Sequence, residues 1–87
     1  MSVIVFNPRW KEELVATSDE GSLIFELTMG VYHVYFPSQS AWLTSAPEWA
    51  KQKREIYLTE CEKWCTNNNI PITIVDHGTV YEERNSR

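Results

Sequence analysis

Ser22–Phe36 constrains the fold of this chain more than any other stretch. In Ser22–Met29, residues Leu23, Phe25, Leu27 and Met29 alternate with Ile24, Glu26 and Thr28. That period of two sends successive side chains to opposite faces of a strand. Val31–Phe36 (VYHVYF) is the densest β-forming run in the chain, because β-branched and aromatic side chains pack well on a pleated surface. Met29-Gly30 joins the two runs, and glycine permits a tight hairpin turn. A hairpin with an apolar face needs a cover.

The cover is legible further along. At about 100° per residue, Trp49, Ile56, Trp64, Ala46, Tyr57, Ala50, Cys61, Cys65 and Leu58 fall on one broad arc of a helix. Glu48, Gln52, Glu55, Thr59, Glu62, Lys63 and Thr66 form the opposite face. Ser45-Ala46-Pro47-Glu48 predicts a capping box with Ser45 as N-cap. The helix should run to about Thr66, where Asn67-Asn68-Asn69 ends it and Pro71 forbids continuation.

The remaining elements are shorter. Val3–Phe6 reads as a strand stopped by Asn7-Pro8. Asn7 as N-cap with Pro8 at the first helical position predicts a short helix through about Val15. The competing reading makes Glu13–Thr17 a strand that turns at Ser18-Asp19-Glu20-Gly21. Pro37–Ser45 is expected to be a loop, and Ile70–Val75 a strand followed by a turn at Asp76-His77-Gly78. Thr79–Glu82 either pairs as a last strand or extends the chain, and Glu83–Arg87 should fray. The expected fold is α+β: an antiparallel sheet of three to five strands with one long helix, from the C-terminal half, packed on one face. Its 87 residues fit one domain, 1–87.

Charge and composition narrow the function classes. The formal net charge is −4, which lacks the basic footprint of a nucleic-acid or anionic-membrane binder. No apolar run approaches the roughly 18 residues of a membrane-spanning helix, and Met1–Phe6 is too short for a signal-peptide core. Two cysteines in one helical stretch do not make a disulfide framework, so a cytoplasmic location is expected. There is no glycine-rich phosphate loop, GxSxG elbow, HExxH or CxxC motif.

Four weaker constellations remain. Cys61 and Cys65 share a helix face and, with His33 and His77, supply four ligands of the kind zinc takes. Both cysteines also lie on the apolar arc, where a free thiol behaves as a small hydrophobe. That reading is favoured, and no metal or cofactor is expected. A Cys–His–Asp nucleophile built with His77 and Asp76 is disfavoured, because the cysteines lie toward the helix C-terminus, where the dipole opposes a thiolate. Lys53 and Glu60 project into the apolar arc and either snorkel at its rim or line a contact surface. Trp42, Leu43 and Trp49 either lid the core or mark a partner site. Tyr32, His33 and Tyr35 form an aromatic strand surface with no Lys or Arg nearby, which argues against nucleic acid.

The expected function is that of a small acidic accessory protein acting by protein–protein contact or self-association. Its candidate contacts are Trp42, Leu43, Trp49, Lys53, Glu60, Tyr32 and Tyr35. The alternatives are a small enzyme or metal module using Cys61, Cys65, His33 and His77, and a small-ligand binder between helix and sheet.

Overall fold

The computed structural model describes residues 3–9, 12–77 and 79–83. The expected hairpin lies at the centre of the sheet, as β3 (Gly21–Thr28) and β4 (His33–Pro37). The first two strands are β1 (Val5–Arg9) and β2 (Glu13–Ser18), and the last two are β5 (Ile72–Val75) and β6 (Tyr81–Glu82). β2 pairs antiparallel with the length of β3, setting Leu14 opposite Phe25 and Ala16 opposite Leu23. The other side of β3 is divided: β4 takes Glu26–Thr28, and β6 takes Leu23 and Ile24. Among the described residues β1 and β5 end the order β1-β2-β3-β4-β5 and are edge strands.

Two helices connect β4 to β5. α1 (Gln39–Ser45) is followed by a 3₁₀ turn, Glu48–Lys53, which continues into α2 (Arg54–Asn67). A chain that leaves β4 and returns through helices re-enters the sheet in the same direction. β5 is accordingly parallel to β4, with Val34 opposite Ile72, and the sheet is mixed. The α+β class and the long helix in the C-terminal half are as the sequence indicated.

Several local expectations are corrected. No helix runs from Asn7 to Val15, because Glu13–Ser18 gains ladders on both sides, to β1 and to β3. Trp10 and Lys11 lie outside the described residues. Pro8 sits within β1 opposite Leu14, a position open to proline only on an edge strand. Of the segment expected as a loop, Pro37–Ser45, Pro37 ends β4 and Gln39–Ser45 forms α1, whose N-cap Ser38 accepts a hydrogen bond from the Ala41 N–H at 3.3 Å. Ser45 is therefore not the cap of the long helix. It closes α1, donating to the Ala41 carbonyl at 2.8 Å and accepting from the Val80 N–H at 3.2 Å. Pro47 precedes the 3₁₀ turn instead. Glu83 is not frayed: its N–H donates to the Ser22 carbonyl and its carboxylate holds Arg9 at 2.8 Å. The rest of the expected tail, 84–87, lies outside the described residues, as does Gly78.

The core fills the space between one sheet face and the helices. Phe6, Leu14, Ala16, Leu23, Phe25, Leu27, Val34 and Phe36 point inward by strict alternation, and Trp42, Ala50, Tyr57, Cys61 and Cys65 meet them. The rings are in contact: Phe25–Phe36 at 5.1 Å, Phe36–Trp42 at 5.6 Å and Trp42–Tyr57 at 6.0 Å between centroids. Offset and tilted pairs of this kind add to area burial. The opposite face carries a small buried apolar pair, the cross-strand neighbours Val15 and Ile24, among polar groups. There Arg9 holds Glu13 at 2.6 Å while the Tyr81 hydroxyl donates to Glu13 at 2.8 Å.

Candidate functional site

The groove beside β1 is built by alternation at a sheet edge. The Leu27 N–H donates to the Glu12 carbonyl, so even-numbered residues of β2 aim their backbone groups at β3 and odd-numbered ones at β1. Through the register of β1, Val5, Asn7 and Arg9 then face β2. The backbone groups of Ile4, Phe6 and Pro8 point out of the sheet. Pro8 contributes only a carbonyl there, since proline has no N–H.

α2 runs alongside this edge. Ile4 stands between two depressions: one lined by Ser18, Glu20, Lys53, Ile56 and Tyr57, the other by Val5, Phe6, Glu60, Lys63, Trp64 and Asn67. Helix positions 53, 56, 60, 63 and 67 form one stripe at spacings of three and four. Val3, Val5 and Ile56 are respectively 74%, 50% and 53% exposed. The charges along the stripe are matched within the chain, Lys53 with Glu20 at 2.9 Å and Lys63 with Glu60 at 3.5 Å. The groove is thus apolar with a neutral rim.

The sequence-predicted contacts do not come together in one place. Lys53 and Glu60 both line the groove. Trp42 does not offer a contact: it is 0% exposed, and its Nε1–H donates to the Ala50 carbonyl at 3.0 Å. The reason is the stacked ring cluster of Phe25 and Phe36, which α1 closes by turning Trp42 inward. Trp49 is part-buried over the β2–β3 turn, where a Cβ on Gly21 would lie 2.8 Å from its ring. Its Nε1–H is buried and meets no acceptor among the described residues. Leu43, on the outer side of α1, and Tyr32, in the turn before β4, are exposed and far from one another in the topology. Tyr35 lies on the open sheet face, stacked on His33 at 4.5 Å.

The metal and thiol alternatives are not assembled. Cys61 and Cys65 are free and buried in the core, whereas His33 Nε2 shares a 2.7 Å hydrogen bond with Thr73 on the opposite sheet face. His77 is exposed in the turn after β5. The hydrogen bond between the two thiols, together with burial, pushes Cys61 well above its ordinary range, and the same hydrogen bond lowers Cys65. Both thiols are buried on the core side while His33 lies on the other sheet face, so this histidine is not the base a Cys–His nucleophile needs. Burial also raises the Tyr57 phenol, against the hydrogen bond its oxygen shares with Ser18 at 3.1 Å.

Sequence reasoning placed Ile56 and Trp64 on the core-facing arc and did not single out Val5 or Phe6. The available signal was Pro8: read as an edge residue instead of a helix start, it marks β1 as the sheet border. Among the described residues no helix is long and apolar enough to cross a membrane. Comparison of the chain with protein-family models, with curated proteins and with solved structures finds no match in any of the three.

Proposed function

We propose that this protein is a small interaction module that engages a protein partner through the groove between β1 and α2. The observation that carries the reading is a strand edge unpaired among the described residues, with a helix stripe beside it and exposed apolar side chains on both. Edge addition of an extended segment uses such an arrangement: main-chain hydrogen bonds supply affinity and the flanking pocket supplies selectivity. Lys53 and Glu60 belong to the rim of this surface, and Trp42 and Trp49 brace the scaffold behind it. Two free thiols on one helix suit a reducing compartment, in line with a cytoplasmic location.

The test is a surface variant at the groove. Ile56→Lys changes a half-exposed side chain, so stability by urea titration should stay within about 0.5 kcal/mol of wild type. Association, whether with a second copy or with a captured protein, should be lost. Undiminished association of Ile56→Lys would place the contact elsewhere.

A further inference from the structure

We infer that the strand accepted at this edge is β1 of a second copy, giving a two-fold homodimer with one continuous sheet. The inference rests on the reading of β1 as a docking edge and adds the occupant and the register.

The register follows from which backbone groups are free. Ile4 and Phe6 each offer an outward N–H and carbonyl, while Pro8 offers a carbonyl alone. An antiparallel pairing centred on Val5 sets Ile4 opposite Phe6 of the second copy, so that each pair exchanges both N–H···O bonds. Pro8 then falls opposite residue 2, outside the described residues, and takes no part in the Ile4–Phe6 pairs. Centring the axis on Phe6 instead would set Ile4 against Pro8 and leave the Ile4 carbonyl without a donor.

The side chains agree with the same axis. Val5 meets its symmetry mate as a non-hydrogen-bonded pair, the closer of the two antiparallel spacings, at about 4.5 Å between Cα atoms. Two β-branched residues at that spacing form a favourable cross-strand pair. On the helix side, Ile4 and Phe6 meet each other across the axis beneath the exposed Ile56. No residue from Val3 to Pro8 carries a charge.

Charge decides in favour of a second copy over a charged peptide. The rim residues Lys53, Glu60 and Lys63 are matched within the chain, so the groove selects an uncharged apolar strand. Val3–Pro8 is such a strand, and its own exposed Val3 and Val5 need the same cover. Glu60, beside the proposed axis, brings its Lys63 with it, so the approaching copies present neutralised pairs there instead of bare carboxylates.

Sedimentation equilibrium over a concentration series tests the proposal. Wild-type protein should show a monomer–dimer equilibrium. Val5→Lys sets two like charges directly opposite each other on the axis, and should raise the dissociation constant by roughly tenfold or more. Its far-UV circular dichroism should match wild type, because Val5 is half exposed; if it does not, Val5→Thr keeps the branched shape and should weaken the dimer in the same direction. A wild-type monomer throughout the series, or a Val5→Lys dimer as tight as wild type, overturns the proposal. Affinity capture with the same two baits separates the failures. If the wild type is monomeric but captures a protein that Val5→Lys loses, self-pairing falls and the docking edge stands. If both baits capture the same proteins, the docking edge falls as well.

Discussion

The corner built by α1 and the 3₁₀ turn and the groove between β1 and α2 both gather large apolar side chains, with opposite outcomes. At the corner Trp42 finds Phe25, Phe36 and Tyr57 around it and a carbonyl for its N–H. Beside β1 the sheet simply ends, and Val5 and Ile56 meet water although Phe6 and Trp64 beneath them pack at 6.1 Å. Residue type alone does not separate the two regions. What separates them is whether another element of the chain follows to complete the layer. At the corner one does; at β1 none follows among the described residues.

The largest expected effect falls at the corner. Trp42→Ala removes a fully buried ring from the stack and should destabilise the fold by about 3–5 kcal/mol, read as a shift in urea midpoint. The association of those molecules that remain folded should be unchanged, since Trp42 touches no free surface. A Trp42→Ala protein of wild-type stability that no longer associates would invert the comparison.

A smaller loss is expected where the corner meets the β2–β3 turn. Gly21 has φ +152° and a Cβ there would lie 2.8 Å from Trp49. Gly21→Ala should therefore cost about 1–3 kcal/mol through overpacking and backbone strain. Thermal unfolding followed by circular dichroism reads this directly, and a change indistinguishable from zero would mean that Trp49 is not held over the turn.

The smallest effect lies between the regions, at Tyr57, which leans on Trp42 and reaches Ser18 at the groove. Its phenol titrates above the ordinary range because it is buried. The native state therefore keeps a proton that the unfolded chain loses first. The contribution is intact below about pH 10 and falls away as the pH rises through the native pKa. Cys61, raised by its hydrogen bond to Cys65 and by burial, adds the same sign from about pH 8.5 upward, while the same hydrogen bond lowers Cys65 and opposes it. Urea midpoints measured from neutral to alkaline pH should decline, and Tyr57→Phe should flatten the upper part of that decline.

Much of the fold is written in local pattern, and the exceptions have physical causes. The alternation of Leu23–Leu27 and Val34–Phe36 names the residues that face the helices, and the structure follows it, although Ile24 is also buried, on the other face where β6 pairs with it. The Asn67–Asn69 stop is equally local, with Asn69 at a left-handed φ of 58°. Asn7-Pro8 carries a helix-start signal that loses to tertiary pairing, because only a strand at Glu13–Ser18 can fill the side of β3 away from β4. Ser38 and Ser45 both have cap chemistry, and choosing between them requires knowing that Trp42 must point inward. For the site, Lys53 and Glu60 were legible as charges on an apolar arc. Val5 and Phe6 were not, since the pattern of a strand does not state which strand lies at the border.

Amide hydrogen exchange at two adjacent residues tests the central claim most directly. Asn7 N–H faces β2 inside the sheet, whereas Phe6 N–H faces the open edge. Asn7 should be protected at every protein concentration, whereas Phe6 should exchange fast in dilute solution and slow as concentration rises. Fast exchange at Phe6 across the whole range, with concentration-dependent protection appearing on β5 or α1 instead, would contradict it.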